Sequence, residues 1–414
     1  MRILLLTLNY LPELTGIGKF SGEMMEWLAA RGHDVSVVTT PPYYPEWRVH
    51  DGFSAWRYAR ERRANVDVLR CPFWVPRRQG STARVLNLAS FAVSSGPAIV
   101  ARALAFKPDI VGVIKPPMFV LPAALLAARL VGASTWVHIQ DFEIDVAFEM
   151  GLLSGRALAS SALRFEAALL RRFDLATTIS PRMRERLIEK GVSESRTKLF
   201  QNWVDCTAIQ PLTGLNPLRT ELGIGQDQIV ALYAGNMGEK QGIDTLVDVA
   251  RAVLDDDRIV LVLAGEGAAR KRLEAEASEL ANVRFMPLQP LERLNQLLNM
   301  ADVHLLPQRA DAADLVMPSK LTGILASGRP VIAGARPGTQ VAREVEGVGL
   351  VVAPDDGTAM AGALRRLAAD AALRASLGNQ ARTRALAHWE RDAVLTRLEG
   401  NLEKLVGLAA EGRR

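Results

Sequence analysis

Residues 231–250 read ALYAGNMGEKQGIDTLVDVA, and the order of apolar, glycine and polar positions in this stretch decides the fold class. The run at 231–234 is apolar without a break, as in a buried strand, and apolar positions from Ile243 onward recur at helical spacing. The loop between them is punctuated by glycines and holds one lysine, Lys240. Backbone amides at a helix N-terminus, together with a lysine, form a site suited to an anionic phosphate.

A second basic loop, Pro318-Ser319-Lys320, comes eighty residues after Lys240 and also runs into a helical pattern. We expect the two loops to converge on one diphosphate. The residues predicted to form this site are Gly235, Asn236, Lys240, Ser319 and Lys320. A lysine at the start of a helix is also an ordinary surface residue, and that interpretation of Lys320 stays open.

Apolar strands and helical segments alternate along the chain in two successive series. Strands are predicted near 2–8, 34–39, 109–114, 134–139 and 175–179, and then near 229–234, 259–264, 283–286, 303–306, 330–333 and 349–352. Helices are predicted between them, for example at 18–30, 83–105 and 121–131. This alternation indicates parallel sheets with right-handed crossovers, so the predicted fold class is α/β with two doubly wound, Rossmann-like domains.

The two series are separated by a segment in which Pro211, Gly214 and Pro217 interrupt the pattern. We therefore assign residues 1–210 to an N-terminal domain and residues 211–381 to a C-terminal domain. The last helix, at about 382–414 with Trp389, is expected to pack back onto the first domain. Ligands of doubly wound sheets bind beyond the carboxyl ends of the strands, so the site is expected in a cleft between two facing domains.

The composition is that of a globular protein, with 414 residues, 49% apolar and 23% charged, and a net charge of +5. Two cysteines are too few for a disulfide framework or a zinc site and fit a reducing cytoplasm. The apolar N-terminus MRILLL is too short for a signal peptide. The apolar region at 110–133 is interrupted by Lys115, two prolines and Arg129, so no membrane span is predicted there.

The first loop, LPELTGIGKF at 11–20, follows strand one and opens a helix. Gly16 and Gly18 would let backbone approach a ligand, although a tight turn explains them equally well. A dinucleotide fingerprint needs a third small residue, which Ser21 supplies only loosely, and an acidic residue at the end of the second strand. That strand ends in VVTTP without an acid, which disfavours a nicotinamide cofactor.

The segment VHIQDFEID at 137–145 places His138, Asp141, Glu143 and Asp145 at the end of a predicted strand, where chemistry is expected in this fold class. We take His138 and Asp141 as candidate catalytic residues. The alternating carboxylates resemble a metal site, but a helix starting here would point them apart, and Glu143 and Asp145 also suit a helix N-terminus. No metal is expected, and no motif for acyl transfer is present in the sequence.

A basic and aromatic segment runs from 43 to 84, with nine arginines against three acidic residues between Arg48 and Arg84. Such a segment suits an anionic membrane face or a phosphate-bearing acceptor. A solvated surface with a few core aromatics is the alternative, and nucleic acid is disfavoured because no binding motif accompanies the charges. The residues proposed for acceptor or membrane contact are Tyr43, Tyr44, Trp47, Arg77 and Arg78.

Several of these motifs, taken in order, resemble the retaining GT-B glycosyltransferases of family 4. They are NYLPELTGIGKFSGEM, PPYYPEW, FAVSS, VHIQDFEIDVAFEMGLL, YAGNMGEKQG, LAGEG and MPSKLTGILASGRPVIA, and they cover most of the chain. The combination is similar to exopolysaccharide enzymes of the colanic-acid fucosyltransferase type. Each motif alone is moderately specific, whereas their order and spacing are highly specific for the family and less so for the donor sugar.

The resemblance implies that the second domain binds a nucleotide-sugar diphosphate and the first binds the acceptor. It implies that Lys240 neutralises the diphosphate, that Gly16 and Gly18 offer amides near it, and that Glu266 lies near the nucleotide. His138 and Asp141 would face the transferred sugar and the acceptor hydroxyl. Positive groups would stabilise the leaving diphosphate, with neither a metal nor a protein base.

Two positions depart from the family pattern. Asn236 stands where many members have an arginine before the loop lysine, and Leu315 and Gly323 stand where many have a pair of glutamates. We hypothesise that Lys320 supplies the missing phosphate charge and that the ribose is held by other residues.

The leading functional prediction is transfer of a sugar, with GDP-fucose as the first donor to test, to a polyprenyl-diphosphate-linked oligosaccharide at the inner face of the cytoplasmic membrane. A UDP-sugar donor, for example UDP-N-acetylfucosamine or UDP-glucose, is the main alternative. A nucleotide-sugar epimerase, a dehydrogenase and a non-catalytic nucleotide-binding protein are the remaining alternatives.

Overall fold

The computed structural model describes residues 1–13, 16–78, 80–142, 156–238, 241–310 and 320–411. The chain divides into two compact units. Unit 1 is Met1–Gln201 together with the chain from Leu395 onward, and unit 2 is Asn202–Val394. Each unit contains its own sheet, in agreement with the predicted pair of doubly wound domains.

Unit 1 is built on an eight-stranded sheet in the order β3-β4-β2-β1-β5-β6-β7-β8. All neighbouring strands are parallel except the antiparallel edge pair β3 and β4. The strands are β1 (Arg2–Leu6), β2 (Asp34–Thr39), β3 (Ala59–Arg63), β4 (Val66–Arg70), β5 (Ile110–Lys115), β6 (Ser134–Ile139), β7 (Leu175–Thr178) and β8 (Thr197–Leu199). The helices are α1 (Gly16–Ala30), α2 (Ser81–Phe106), α3 (Leu121–Val131), α4 (Arg156–Leu170) and α5 (Pro181–Glu189).

Unit 2 is built on a six-stranded parallel sheet in the order β11-β10-β9-β12-β13-β14. Its strands are β9 (Ile229–Ala234), β10 (Ile259–Ala264), β11 (Val283–Met286), β12 (Val303–Leu306), β13 (Val331–Gly334) and β14 (Gly349–Val352). Its helices are α6 (Pro217–Glu221), α7 (Asp244–Ala252), α8 (Arg270–Glu276), α9 (Leu294–Met300), α10 (Lys320–Ala326), α11 (Gln340–Val345), α12 (Gly357–Ala369) and α13 (Ala371–His388). The last helix, α14 (Arg391–Glu411), begins in unit 2 and continues into unit 1.

The central strands are buried on both faces, which explains their continuous apolar runs. Every residue of β5, β6 and β10 is buried. Helix α2 contains a segment, 82–106, that is long and apolar enough to cross a membrane by length and composition. One side of α2 packs into the unit 1 core through Phe91, Ile99 and Ala103, as in the core helix of a globular domain.

The hairpin of β3 and β4 was not predicted from the sequence. Its two-residue turn, Ala64-Asn65, has positive φ at both residues, as the tight turns favoured in hairpins require. Three arginines lie on β3, an edge strand that is exposed except for a half-buried Glu61. Charged residues on an edge strand protect it from pairing with another chain, but they also remove the apolar alternation by which strands are recognised.

The predicted course of the C-terminal segment is wrong for its first part. Trp389 is fully buried in the unit 2 core, and its carbonyl accepts a hydrogen bond from Val204 N–H at 2.8 Å. Arg382 donates to the carbonyls of Cys206 and Ile209, so residues after Gln201 also belong to unit 2. Only the chain from Leu395 onward is part of unit 1.

Helix α14 is fastened to unit 1 by Glu399. Its carboxylate accepts from Arg31 Nε at 2.9 Å and pairs with His33 Nε2 at 2.8 Å. Burial alone would raise the pKa of Glu399, but these contacts outweigh it and lower the pKa, so the carboxylate is ionised at neutral pH.

Candidate functional site

In unit 2 the chain runs outward from β9 to β11 and then returns to the other side of β9, where β12 begins the second half of the sheet. Such a reversal opens a crevice outside the carboxyl ends of the two central strands, which is where ligands bind in doubly wound sheets. The loop after β9 begins at Gly235, and Lys320 is the first residue of α10, which lies between β12 and β13 in the chain. Gly235 and Lys320, the described ends of the two predicted basic loops, therefore flank this crevice.

The side chain of Lys320 lies over Gly235. A Cβ atom added to Gly235 would come within 3.0 Å of Lys320 Nζ, and Gly235 has a φ of 151°, which favours glycine. Nζ donates a hydrogen bond to Tyr233 Oη at 3.1 Å and lies 4.3 Å from the centroid of that ring. The absence of a side chain at Gly235 thus makes room for an ammonium group at the end of β9.

Among the described residues, no acidic side chain balances the charge of Lys320. Within the part of the chain that the structure describes, its polar contact is the Tyr233 hydroxyl, and no carboxylate pairs with it. Burial lowers the pKa of Lys320 to about 8, so the ammonium form still predominates at neutral pH. A desolvated ammonium with a neutral partner gains most from a bound anion, which supports the predicted phosphate site.

The loops after β9 and β10 lie in close contact, which is possible because glycines occupy the contact positions. A Cβ on Gly265 would lie 2.0 Å from the Gly235 carbonyl oxygen, and one on Gly267 would lie 2.4 Å from the Met237 carbonyl oxygen. Gly235 N–H donates to the Ala264 carbonyl at 2.9 Å, and Met237 N–H donates to the Glu266 carbonyl at 2.8 Å. We call the loop that follows β9 and begins at Gly235 the candidate phosphate loop. Its shape depends on these glycines.

The predicted nucleotide contact, Glu266, is exposed and paired within the protein. Its carboxylate accepts from Arg270 Nη1 at 2.7 Å, and the same nitrogen also donates to the Gly265 carbonyl at 2.6 Å. Arg270 was missed by the sequence reasoning, although its position four residues after Glu266 at the start of a helix was a usable signal. Asn236 is exposed, and its carbonyl accepts from Tyr233 Oη at 2.7 Å.

Lys240 and Ser319 lie outside the described residues, as do Glu143, Asp145 and Leu315. The described part of the same loop resumes at residue 241 and includes Gly242. A Cβ on Gly242, whose φ is 65°, would come within 2.9 Å of the Gln308 carbonyl carbon. The described parts of the loops that follow β9 and β12 therefore approach each other closely at Gly242 and Gln308.

In unit 1 the corresponding crevice lies between β1 and β5, where the strand order reverses. Glu13 is nearly completely buried beside it. One oxygen accepts from the backbone N–H groups of Tyr43 and Tyr44, at 2.8 and 2.9 Å, and the other accepts from Asn9 Nδ2 at 2.8 Å. Burial raises the pKa of Glu13, while these three donors oppose that shift. No pattern in the sequence pointed to Glu13. Glutamates are rarely buried, so one in a loop is expected to lie at the surface.

The two glycines of the first loop have different environments. Gly18 is buried, and a Cβ there would lie 2.7 Å from Glu13 Cβ, so the residue is needed for close packing. Gly16 is exposed at the start of α1, has a φ of 56°, and has open space around its Cα. Of the two, only Gly16 has the open surroundings that the predicted ligand contact requires.

His138 occupies the interior of the sheet and not its surface. It is 1% exposed, with Nδ1 2.9 Å from Thr177 Oγ1 and Nε2 2.9 Å from the Gln140 side-chain nitrogen. Burial lowers the pKa of His138 to about 3, so the ring is neutral and offers one donor and one acceptor to these two partners. The predicted direct contact with a sugar is corrected accordingly, since the ring is buried and its Nε2 contacts the half-buried Gln140. Asp141 is half-buried at the end of the same segment.

The predicted basic and aromatic surface is also corrected at one residue. Tyr43 is 4% exposed and packs against Phe73, with ring centroids 4.8 Å apart, so both aromatics belong to the core. Tyr44 is exposed and Trp47 is half-buried, while Arg77 and Arg78 are exposed. Aromatic residues and arginines thus alternate in this segment because one side of it packs on the core and the other side faces solvent.

Exposed apolar side chains do remain on the surface of unit 1, and we call the set of Trp56, Tyr58, Trp74 and Val93 the aromatic patch. Tyr58 Oη donates to the Ser94 carbonyl at 2.8 Å, and the backbone N–H of Trp74 donates to Ser90 Oγ at 3.1 Å. Both residues are therefore hydrogen-bonded to α2. Trp56 and Val93 are each 76% exposed.

Three possible metal ligands, His33, Glu399 and Glu403, lie within 4.8 Å of one another in unit 1. They lie beside the amino end of β2, whereas the candidate crevice of unit 1 is at the carboxyl ends of the strands. Arg31 already pairs with Glu399, which makes this group a poor cation site.

The two halves of the chain each match a family of known domains. Residues 15–203 match the glycosyl transferase 4-like domain, and residues 216–384 match the glycosyl transferases group 1 domain. The chain is 41% identical over 377 residues to the putative colanic acid biosynthesis glycosyl transferase WcaI of Escherichia coli strain K12, covering 88% of this chain and 92% of the relative. It is 29% identical over 191 residues to D-inositol 3-phosphate glycosyltransferase of Streptomyces avermitilis, covering 43% of this chain and 40% of that one.

Solved structures share the fold at lower identity. Sucrose-phosphate synthase from Thermosynechococcus elongatus superposes with a TM-score of 0.74 at 21% identity, covering 98% of this chain and 99% of that one. HepE of Anabaena in complex with UDP superposes with a TM-score of 0.70 at 17% identity, covering 98% and 100%. The predicted GT-B fold and family are both confirmed. The chain belongs to the GT-B glycosyltransferases that join a 4-like domain to a group 1 domain, and it is a glycosyltransferase.

Proposed function

We propose that this enzyme transfers a sugar, with retention, from a nucleotide-sugar donor to a lipid-linked oligosaccharide during the synthesis of an exopolysaccharide of the colanic acid type. The observation that carries the donor half of the proposal is the ammonium of Lys320 over Gly235, at the crevice of unit 2, to which the described residues offer a tyrosine hydroxyl and no carboxylate. The similarity to WcaI supports the polysaccharide, and the complexes of HepE with UDP and UDP-glucose support a nucleotide donor in this fold.

In the proposed reaction, unit 2 binds the donor and unit 1 binds the acceptor. The bond between the anomeric carbon and the β-phosphate oxygen breaks, and the acceptor oxygen bonds to that carbon on the same face. The acceptor proton passes to the leaving phosphate. Lys240 and Lys320 stabilise the negative charge on the diphosphate, and the scheme uses no metal cofactor.

A donor panel tests this proposal. GDP-fucose, UDP-N-acetylfucosamine and UDP-glucose are each incubated with a polyprenyl-diphosphate-linked oligosaccharide, and products are followed by mass spectrometry and by NMR of the new anomeric proton. We expect one donor to yield an extended acceptor with the anomeric configuration of the donor. Conversion of a donor without acceptor would indicate an epimerase, and nucleotide binding without product would indicate a non-catalytic protein.

The pH dependence of donor binding follows from the lowered pKa of Lys320. The ammonium form binds the diphosphate, so affinity is expected to be level below pH 8 and to weaken above it, by up to about ten-fold per pH unit. Calorimetric titration with the matching nucleoside diphosphate between pH 6 and 10 measures this. In Lys320→Met the decline above pH 8 should disappear, and the same decline in both proteins would contradict the assignment.

We further propose that the enzyme works at the inner face of the cytoplasmic membrane, bound through the aromatic patch and the neighbouring Arg77 and Arg78. Each arginine near an anionic surface contributes about 1 kcal/mol, so removing both should weaken vesicle binding by roughly 30-fold. Flotation with vesicles that contain or lack phosphatidylglycerol tests this.

The double variant Arg77→Ala/Arg78→Ala should stay in the soluble fraction, while Arg258→Ala/Arg366→Ala, which removes two exposed arginines from unit 2, should float like the unchanged enzyme. Flotation that is independent of anionic lipid would rule out the electrostatic part of the proposal.

A further inference from the structure

A buried cluster of charges lies under the segment that leaves the carboxyl end of β6. Glu166 of α4 is completely buried and is shared by two lysines, Lys115 at the end of β5 and Lys190 just after α5. Lys190 Nζ donates to Glu166 Oε2 at 2.8 Å, and Lys115 Nζ forms an ion pair with Oε1 at 2.8 Å, without the alignment of a hydrogen bond.

Both lysines also contact the segment after β6. Their Nζ atoms lie 5.4 Å (Lys115) and 5.2 Å (Lys190) from the centroid of the buried Phe142 ring, within cation–π range. Lys115 Nζ additionally donates to the Asp141 carbonyl at 3.1 Å. The Glu166 carboxylate on α4 therefore binds two lysines, and these lysines contact Asp141 and Phe142, two consecutive residues of the segment after β6.

The cost of this arrangement indicates a purpose beyond packing. Lys115 and Glu166 are both fully buried, and desolvated ions commonly stabilise a fold no better than apolar residues of the same volume. What such a cluster does provide is fixed geometry, since each charge has few alternative positions at low dielectric. The fixed geometry here is that of Asp141 and Phe142.

We propose that Glu166 is a positioning residue, which acts through Lys115 and Lys190 to hold Asp141 and Phe142 in the conformation that receives the acceptor. The inference rests on the proposed function, because it takes the segment after β6 to meet the acceptor. Glu166 itself is buried beneath the segment and touches no substrate.

The replacement Glu166→Gln tests the proposal most directly. Lys190 borders a surface groove of about 390 Å³, lined also by Arg164, Arg171 and Arg186, and it can turn toward solvent there. Lys115 is fully buried and has no such route, so its ammonium would lose the carboxylate of Glu166 that fixes its position beside Asp141. We expect hydrogen exchange of the backbone at 138–142 to accelerate at least ten-fold, while exchange in β1 stays unchanged.

Kinetics provide a second readout that simple destabilisation would not give. In Glu166→Gln we expect kcat/KM for the acceptor to fall at least ten-fold, with the dissociation constant for the nucleoside diphosphate within two-fold of the original. The matched control is Glu185→Gln, which removes a carboxylate from an exposed ion pair on α5 and should change neither quantity.

Lys190→Met covers the case in which Glu166→Gln does not fold, because it leaves one lysine balanced by one carboxylate. It should raise the exchange rate at 138–142 and the acceptor KM by about three-fold. Exchange at the control level in the folded variants would overturn the proposal. Hydrogen exchange needs no substrate, so it decides the matter even if no donor supports transfer, which would count against the proposed function alone.

Discussion

Replacing Lys320 with methionine is expected to lower kcat by about 100-fold and to raise the KM for the donor. The side chain places an ammonium group at the carboxyl end of β9, where the donor diphosphate is proposed to lie and to gain charge as the sugar departs. Removing a preorganised group that stabilises such charge typically costs about 10²–10³ in kcat. Methionine keeps the apolar stem that packs on Tyr233, so the loss is one of charge.

Lys320→Met should lower activity but keep or raise the stability of the fold. Folding lowers the pKa of Lys320 from 10.5 to about 8, so the unfolded chain binds the proton more tightly between these values, and stability rises with pH across that window. Below pH 8 the full cost of burying the ammonium is present, up to about 3 kcal/mol. Lys320→Met removes that cost and should keep or raise the Tm measured at pH 7.

Two comparisons make the Lys320 result decisive. Lys271→Met, at an exposed position on α8, should alter neither kcat nor Tm. Lys240→Ala removes the lysine of the first basic loop and is expected to be at least as damaging as Lys320→Met. If Lys240→Ala abolishes turnover while Lys320→Met leaves kcat and the donor KM unchanged, Lys320 is not a phosphate ligand.

The sheets were predictable because buried parallel strands leave a strong mark on the sequence. The predicted bounds of β2, β6, β9, β10, β11, β12 and β14 agree with the structure, and each is a short run of mainly apolar residues between breaks. The antiparallel strand β3 left no such mark, because its arginines face solvent at the edge of the sheet.

The candidate site was predictable only where chemistry and local spacing coincide. Glycine followed by a helix pointed to Gly235, and the basic loop pointed to Lys320. The position of Lys320 Nζ, 3.0 Å from where a Cβ on Gly235 would lie, depends on β12 lying beside β9. His138 shows the limit from the other side. Its position near the end of a strand predicted reactivity, whereas its burial and its contact with Thr177 depend on the tertiary structure, which no local pattern contains.

The replacement Gly265→Ala is expected to abolish detectable binding of the nucleoside diphosphate and to lower kcat/KM by at least 100-fold. The new Cβ would lie 2.0 Å from the Gly235 carbonyl oxygen, and neither atom can turn aside, because the Cβ is fixed by its bond to Cα and the oxygen belongs to the main chain. The φ of 141° at Gly265 is in addition unfavourable for any residue with a Cβ. Relief requires the loop after β10 to move away from the loop after β9.

That movement would break the contacts that shape the candidate phosphate loop. Gly265 N–H donates to the Met286 carbonyl and Gly235 N–H to the Ala264 carbonyl, so the displaced backbone loses partners on both sides. We expect a loss of about 2–4 kcal/mol in the free energy of unfolding, from strain and lost hydrogen bonds together. Chemical denaturation and calorimetric titration of the same preparation measure the two effects.

Gly362→Ala is the matched control, because it makes the same chemical change in the same unit. Gly362 lies in α12 with open space where its Cβ would be, so alanine there should add about 0.5–1 kcal/mol through helix propensity and leave donor binding intact. A folded Gly265→Ala enzyme that binds the nucleoside diphosphate as tightly as Gly362→Ala would show that the geometry of the Gly235 loop does not govern donor binding. The donor would then have to be held by groups other than the loops that meet beside β9.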